Sequence, residues 1–239
     1  MSMKSFFNWS GGKDSALCLY KAQQEGLNVQ ALVTTVSQST DRITMHGVRR
    51  GLLQQQAASI GIPLHVIELP SSTRMDIYEN TIHKKNNELK QHGFTHAISG
   101  DLFLEDLKNY REGLYAQDGL QCLFPLWKMD TKELLLQFID QGFKAIVVCV
   151  NESFLDKSFC GRLLDESFIE DLPSNIDGCG EHGEYHSFVF DGPIFSRPIF
   201  FETGEIVYQE YPAPKRDDCF TDTKPQAGFY FLDLLPLNP

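Results

Sequence analysis

A short glycine-rich segment near the N-terminus contains the residue types that bind a polyphosphate. It consists of Ser10, Gly11, Gly12, Lys13, Asp14 and Ser15. The two glycines let the backbone approach an anion closely and point its N–H groups at it. The amphipathic stretch that follows predicts a helix whose positive N-terminal end faces the same point. The serine hydroxyls add donors, the lysine adds a positive charge, and the aspartate either caps the helix or holds Mg²⁺ against the phosphates.

The order of these residues separates two kinds of phosphate loop. A Walker A loop has four residues between its first glycine and a Gly-Lys-Ser/Thr triplet, and this segment lacks that spacing. The order Ser-Gly-Gly-Lys-Asp-Ser resembles instead the PP-loop of the adenine-nucleotide α-hydrolase superfamily, whose members cut ATP between the α- and β-phosphates. The resemblance implies ATP and Mg²⁺ as cofactors, Lys13 and Asp14 as catalytic residues, and Asp14 as the metal ligand. The structural alternative is a glycine turn that only opens a helix.

Two further strand ends are expected beside this loop. Ligands of open parallel sheets bind beyond the carboxyl ends of the strands. Thr35 and Val36 end the second predicted strand, and their backbone is expected to bind adenine. Gly100 and Asp101 follow the fourth predicted strand. Asp101 either faces the nucleotide and its Mg²⁺ or caps the next helix.

A charged segment follows Asp101 along the chain. Its candidates for substrate binding are Glu105, Tyr110, Arg111 and Glu112. Arg111 is suited to clamp a carboxylate or to stabilise the charge of an adenylate. The alternative is a solvated helix face, which normally explains such charges.

A second polar segment, residues 177–188, reads DGCGEHGEYHSF. Polar groups this dense before a predicted strand indicate a binding loop rather than core. The expected substrate-binding residues are Cys179, Gly180, Glu181, Gly183, Glu184, Tyr185 and His186. Glu181, Glu184 and His186 are suited to position ammonia or deprotonate ammonium, and the last two are the expected catalytic residues. An extended backbone would also place His182, Glu184 and His186 on one face, which would allow a metal site.

Short apolar runs alternate with amphipathic segments over the first 150 residues. Strands are expected over residues 5–9, 29–36, 64–69, 95–99, 121–126 and 145–150. Helices are expected over residues 14–25, 48–60, 75–91, 103–116 and 131–141. Strands separated by helices indicate βαβ units, so we predict an α/β, Rossmann-like PP-loop (HUP) domain over residues 1–150 with about five or six parallel strands.

The pattern changes after residue 150. Residues 151–175 are expected to be helical or irregular, and strand-like stretches follow at 185–190, 194–201 and 205–211. Asp-Gly at 191–192 and Thr-Gly at 203–204 are typical of turns between them. We predict a smaller, mainly β, substrate-binding module over residues 151–239, with an irregular tail from residue 212.

Composition narrows the classes of partner. The formal net charge of -11, with no long basic run, makes nucleic acid an unfavoured partner. The six cysteines form no C-x-x-C pair, which argues against a zinc ribbon and favours buried thiols in a reducing compartment. No stretch approaches the ~20 apolar residues of a membrane span. A cytoplasmic protein without a membrane partner is therefore expected.

Six segments carry a resemblance to the diphthine–ammonia ligase family of PP-loop proteins. They read SGGKDS at residues 10–15, MHGVRRGLLQQQAASIGIPL at 45–64, SGDLFLEDLKNYRE at 99–112, FPLW at 124–127, GFKAIVVCVN at 142–151 and DGCGEHGEYHSFVFDGPIF at 177–195. The resemblance implies a ligase that adenylates the carboxylate of diphthine, a modified histidine on elongation factor 2, and lets ammonia displace AMP. Residues 10–15 would bind the phosphates and residues 177–186 would line the acceptor pocket. In a bacterial protein the carboxylate acceptor would be unknown.

Other functions stay open on the sequence. A bacterial PP-loop ATPase or amidotransferase acting on an unknown small molecule is one. A tRNA-modifying PP-loop enzyme is disfavoured by the acidic charge and by the missing C-x-x-C pairs. A non-catalytic adenine-nucleotide-binding module is disfavoured by the two charged segments. The oligomeric state is also open, with a homodimer among the options.

Overall fold

The computed structural model describes residues 3–43, 46–70, 74–212 and 226–237. Within these ranges the strands are β1 Ser5–Asn8, β2 Val29–Ser37, β3 Arg42–Ile43, β4 Leu64–Leu69, β5 His96–Ile98, β6 Gln121–Leu123, β7 Lys144–Asn151, β8 Tyr185–Asp191, β9 Phe201–Pro212 and β10 Gln226–Pro236. The helices are α1 Lys13–Gln24, α2 Arg50–Ile60, α3 Met75–Gln91, α4 Glu105–Gln117, α5 Thr131–Asp140 and α6 Glu166–Asp171, with a 3₁₀ turn at Lys157–Phe159.

The first sheet is mainly parallel, which confirms the predicted α/β class. Its parallel strands lie in the order β4, β2, β1, β5, β6, and the short β3 pairs antiparallel with the end of β2. Phe6 and Phe7 in β1 and Leu32 in β2 are buried, as expected for strands covered on both faces. The carboxyl ends of β1, β2 and β5 consequently open along one edge of the sheet.

Helix ends follow local sequence signals. Gly61 ends α2 in the left-handed conformation with φ 79°, and its amide donates to the Ala57 carbonyl at 2.9 Å. Asp130 caps α5 by accepting from the Glu133 amide at 2.9 Å. Asp165 caps α6 in the same way. By contrast, α1 begins without a side-chain cap.

Two hydrophobic clusters flank the first sheet. One contains Phe6 and Val33 of the sheet with Ile82 of α3 and Leu114 of α4. The other contains side chains of α1 and α2 together with strands of the second sheet, among them Leu19, Leu53, Val147 and Phe188. The second sheet therefore packs against the helices that start at the phosphate loop and at the end of β3.

The second sheet is antiparallel, with the strand order β8, β7, β10, β9. It confirms the predicted mainly β part of the chain and corrects four details. Residues 145–150 were expected in the parallel sheet, but β7 pairs with β8 and β10 instead. An unbroken apolar run marks a buried strand and not its direction. The division of the chain at residue 150 stays a prediction.

The other three corrections concern the C-terminal strands. Most of residues 194–201 form no strand, and the Thr-Gly pair at 203–204 lies inside β9 rather than in a turn. The tail was expected to be irregular, but β10 occupies the middle of the sheet because its aromatic and aliphatic residues favour extended backbone. Residues 213–225 and 238–239 of that tail lie outside the described residues.

None of the helices in the described ranges has the length and apolar character needed to cross a membrane.

Candidate functional site

A cleft of about 450 Å³ lies at the carboxyl ends of β1, β2 and β5. Part of its wall comes from the first sheet and part from the loop that leads into β8. The predicted site residues that line it are Ser10, Gly12, Lys13, Asp14, Ser15, Thr35, Gly100, Asp101, Arg111, Cys179, Gly180, Glu181, Gly183, Tyr185 and His186. The structure thus brings residues of the predicted phosphate loop and residues of the predicted substrate-binding loop into one cleft.

The phosphate loop connects β1 to α1, and the first helix amides other than that of Lys13 are not capped by a side chain. Gly12 is the N-cap residue of α1 and supplies no side-chain cap, so the amides of the first turn have no partner one turn earlier. Ser10 Oγ and Ser15 Oγ lie 3.0 Å apart at the mouth of this turn. Gly11 has φ +78°, and a Cβ there would lie 2.7 Å from both Leu53 and Gln56. Only glycine fits this position.

The loop is anchored from behind by the second sheet and by α2. The Gly11 carbonyl accepts from the Val189 amide at 2.9 Å and from Gln56 Nε2 at 3.1 Å. Gln56 also donates to the Val189 carbonyl at 2.6 Å and accepts from Trp9 Nε1 at 2.9 Å. The Lys13 amide donates to Ser187 Oγ at 3.2 Å. The position of β8 therefore fixes the shape of the phosphate loop.

The Lys13 side chain connects the phosphate loop to the loop before β8. Its Nζ donates to Asp14 Oδ2 at 2.8 Å and to the Cys179 carbonyl, and it lies 4.9 Å from the centre of the Tyr185 ring. Burial opposes the charge, but Asp14 and the neighbouring polar groups outweigh it and raise the pKa of Lys13. The ammonium is therefore a permanent positive charge inside the cleft.

Acidic side chains surround this cation. Arg111 Nε lies 3.0 Å from the buried Asp101 carboxylate. Glu181 accepts from the Leu102 amide at 3.3 Å. Burial, followed by the charge of Asp14, raises the pKa of Glu181 to about 7. Asp14 and Asp101 thus pair with Lys13 and Arg111, and Glu181 adds a further negative charge as the pH rises through its pKa.

The loop of residues 177–184 is built on its own side chains. The Asp177 carboxylate accepts from the amides of Cys179 and Glu181 at 2.9 and 3.1 Å. Glu184, which is 2% exposed, accepts from the amides of Asp177 and His182 at 3.3 and 2.9 Å. The two carboxylates replace regular backbone pairing and hold the turns in place.

Cys179 is positioned as a structural thiol. Its Sγ donates to the Thr131 carbonyl at 3.2 Å. Burial, and then the charge of Asp14, raises the pKa of Cys179, so the thiolate required of a nucleophile does not form at neutral pH.

Comparison with known proteins identifies the relatives of this chain. Residues 3–122 match the diphthamide synthase N-terminal domain, and residues 130–213 match the diphthamide synthase C-terminal domain. The chain belongs to the diphthamide synthase family. The diphthine–ammonia ligase of Danio rerio is 27% identical over 88% of this chain and 89% of its own length. The human diphthine–ammonia ligase is 26% identical over 94% of this chain and 89% of its own length. That of Schizosaccharomyces pombe is 26% identical over 83% of this chain and 36% of its own length.

Membership in the diphthamide synthase family confirms the family resemblance seen in the sequence and the expectation of a ligase. The two matched regions divide between residues 122 and 130, ahead of β7.

One sequence hypothesis is wrong for this family member. His182, Glu184 and His186 were expected to share one face and to allow a metal site. The described residues contain no group of three metal-ligating side chains. His182 and Gly183 lie in turns before β8 begins at Tyr185, and the Glu184 carboxylate is occupied by main-chain amides, so the three side chains do not converge.

Several predicted site residues do not line the cleft. They are Gly11, Val36, Glu105, Tyr110, Glu112 and Glu184. Gly11 and Glu184 lie behind the wall and shape its loops. Glu105 is exposed, and Glu112 pairs with Lys108 at 3.2 Å on the outer face of α4. Tyr110 donates to Glu79 at 3.2 Å. The roles assigned to these residues stay predictions.

The site also contains residues that sequence reasoning missed. Asn8 donates to Ser99 Oγ at 2.7 Å and accepts from Tyr115 at 2.9 Å, which braces the ends of β1 and β5. His46 and Ser187 line the cleft beside Gly12. His46 belongs to residues 45–64, one of the segments that resemble the diphthine–ammonia ligase family. That resemblance was the one feature of the sequence that could have pointed to it.

Proposed function

We propose that this chain is an ATP-dependent amide-forming ligase. A substrate carboxylate attacks the α-phosphate of ATP, pyrophosphate leaves, and ammonia then displaces AMP from the acyl-adenylate. The observation that carries the proposal is Lys13, whose ammonium contacts both the phosphate loop and the loop before β8. One residue thus joins the proposed leaving-group site to the proposed acceptor site.

The phosphate loop has the features that a pyrophosphate leaving group requires. Uncapped helix amides, the two hydroxyls of Ser10 and Ser15, and the Lys13 ammonium face one cleft. A Cβ on Gly12 would lie 3.1 Å from the Ser187 carbonyl and 3.2 Å from His46 Cε1, so a larger residue would press against both. Donors aimed at an anion stabilise the charge that builds on the departing phosphates.

The acidic groups of the cleft fit Mg²⁺ held jointly with phosphates. Mg²⁺ binds through one or two carboxylates together with phosphate oxygens. Asp14 is partly exposed at the loop, and its charge contributes to the raised pKa of Glu181. Asp14 would hold the ion, which supplies charge neutralisation of the polyphosphate when bound.

The proposed acceptor is a carboxylate of the diphthine type. The relatives at 26–27% identity are named diphthine–ammonia ligase, and their names give both substrates. Residues 177–186 would line the acceptor pocket, and Arg111, which lines the same cleft, would serve as a carboxylate-binding group. We place the protein in the cytoplasm, where elongation factor 2 works. If the chain is bacterial, a different small carboxylic acid takes this place.

Pyrophosphate release tests the proposal. The wild-type protein is assayed with ATP and Mg²⁺ alone, then with diphthine-modified elongation factor 2 or candidate carboxylic acids, each with ammonium chloride. Release that depends on the acceptor, with AMP as co-product, is expected. Cleavage of the terminal phosphate alone would contradict the proposal.

Two variants connect the activity to the phosphate loop. Lys13→Ala and Asp14→Ala are expected to abolish turnover while the fold persists, since both side chains serve the cleft. Lys144→Ala is the matched control, because Lys144 is 62% exposed and pairs with Asp191 far from the cleft. Retained turnover in the Lys13 variant would show that the loop does not hold the leaving group.

A further inference from the structure

Two histidine rings are stacked on the cleft wall beside the phosphate loop. The ring centroids of His46 and His186 lie 4.4 Å apart with 27° between the planes, and both rings line the cleft. A Cβ placed on Gly12 would lie 3.2 Å from His46 Cε1. The pair therefore borders the space above the phosphate loop.

Each ring has one nitrogen that lacks a partner. His46 Nδ1 and His186 Nε2 are buried, and neither finds a hydrogen-bond partner among the residues that the structure describes. Leaving a buried polar atom unpaired is unfavourable, so native proteins rarely do so. Two such nitrogens on one wall of the cleft indicate that a bound ligand supplies their hydrogen-bond partners.

The main chain determines which proton His46 carries. A hydrogen bond to the Ser187 backbone favours a protonated ring nitrogen, and because Nδ1 is the unpaired atom, Nε2–H is the donor to the carbonyl. In a neutral imidazole the other nitrogen is then a lone-pair acceptor. His46 Nδ1 therefore requires an N–H or O–H donor from the ligand.

The surroundings keep both rings uncharged. Burial, followed by the charge of Lys13, lowers the pKa of His46 to about 4. Burial, followed by His46 and then Lys13, lowers the pKa of His186 well below its usual range. The same positive charge disfavours a cationic ligand at the pair. A small neutral donor of N–H groups fits these conditions.

We infer that His46 and His186 bind the attacking nitrogen nucleophile, and that they bind it as uncharged ammonia. This inference rests on the proposed amide-forming function. A nitrogen nucleophile must have a free lone pair, which ammonium lacks. His46 Nδ1 accepts one N–H group of ammonia, and this contact leaves the ammonia lone pair free for the attack.

The chemical step balances with these groups alone. The ammonia nitrogen attacks the acyl carbon of the adenylate and forms the C–N bond. The C–O bond to AMP breaks, and its electron pair leaves with AMP. One N–H proton leaves the nitrogen as the tetrahedral adduct collapses and is released to solvent. The products are the amide, AMP and one proton.

Binding can be tested without turnover. Full-length protein with ¹⁵N-labelled histidine is titrated with ammonium chloride at mildly alkaline pH, with potassium chloride as the salt control. Saturable shifts of the His46 and His186 ring nitrogens are expected, while the exposed His92 serves as the internal control and does not shift. The absence of a saturable shift in the wild-type protein would overturn the inference, whatever the acceptor is.

Kinetics test the same site in the working enzyme, with diphthine-modified elongation factor 2 as acceptor. His46→Ala and His186→Ala are each expected to raise the KM for ammonia at least about tenfold, the effect of one lost hydrogen bond. ATP–pyrophosphate exchange, which needs no ammonia, should lose much less than amide formation does. His92→Ala is the matched control, and His46→Asn should restore part of the loss because its amide oxygen is also an acceptor.

The outcomes separate this inference from the proposed function. A wild-type protein without exchange or amide product would refute the ligase proposal, and the titration would still decide the site. Variants that lose exchange would place the histidines in the nucleotide site and overturn the inference. An unchanged KM for ammonia would do the same. In wild type, the KM is expressed as the total concentration of ammonium and ammonia. It should fall about tenfold for each unit by which the pH rises, as long as the pH stays below the pKa of ammonium.

Discussion

Replacing Gln56 by methionine should destabilise the protein and weaken nucleotide binding together. Gln56 is fully buried in α2 and hydrogen-bonds Trp9, Gly11 and Val189. Methionine keeps nearly the same length and volume, so packing changes little and the loss is mostly polar. The Gly11 carbonyl keeps its bond from the Val189 amide, and the Trp9 indole N–H and the Val189 carbonyl bear most of the loss.

The size of the effect follows from these contacts. Each buried group left unpaired costs about 1–3 kcal/mol, so losing the two partners should lower the free energy of unfolding by about 2–6 kcal/mol. The affinity for a non-hydrolysable ATP analogue should also fall about five- to tenfold, because Gly11 loses one of the two bonds that orient the loop.

Urea unfolding monitored by tryptophan fluorescence, with the m-value compared between variants, measures the first quantity. Calorimetric titration with the ATP analogue measures the second. Gln54→Met is the matched control, because Gln54 lies on the exposed face of the same helix. If Gln56→Met unfolds within about 0.5 kcal/mol of that control, the reasoning about this network is refuted.

Four further variants test the loop before β8. Glu181→Gln should stabilise the ligand-free protein at pH 8: the folded-state pKa of about 7 exceeds the ordinary 4.5, so wild-type stability falls as pH rises between these values. Because the carboxylate is partly in contact with solvent, the gain in stability is about 1–2 kcal/mol, and in thermal unfolding it should vanish near pH 4.5. A gain that does not depend on pH would show that it does not come from the raised pKa of Glu181. Glu184→Gln should lower the free energy of unfolding in urea by about 1–2 kcal/mol, because Glu184 supports the acceptor loop. It should also block amide formation while the affinity for ATP stays near normal. A matching loss of ATP affinity would instead assign Glu184 to the nucleotide site. Gly180→Ala should lower the free energy of unfolding in urea by several kcal/mol, because its Cβ would lie 2.8 Å from the Tyr185 ring and its φ is +69°. Gly183→Ala should lower it by about 1 kcal/mol, because Gly183 has φ +85° but open space around it. Equal losses would reject the steric argument.

Local patterns predicted the first sheet well because its information is local. Each βα unit combines an apolar run, a turn signal and an amphipathic helix, and the SGGKDS segment marks the edge where the ligand binds. The sequence could not show the sheet to which residues 145–150 belong, because their burial is the same in either sheet. The strand β10 was missed because the Pro- and Asp-rich stretch before it dominated the interpretation of the tail.

The site was predictable where it is contiguous and not where it is assembled from distant segments. Lys13 and Glu181 belong to short segments with telling composition. Gln56 contacts Gly11 and Val189, which lie 45 and 133 positions away, and nothing in its helix distinguishes it from Gln54. The pairing of His46 with His186 likewise depends on the packing of the two sheets. A single sequence contains no direct record of such contacts.

The central position of β10 has a consequence for how the chain is made. β10 lies between β7 and β9, yet it is the last strand along the described chain. On the ribosome, β7 must therefore wait with one edge unpaired until β10 has emerged, while the parallel sheet can already form. An unpaired edge invites association with other chains. Nascent chains stalled before β10 should consequently aggregate or recruit chaperones, and those that include it should not.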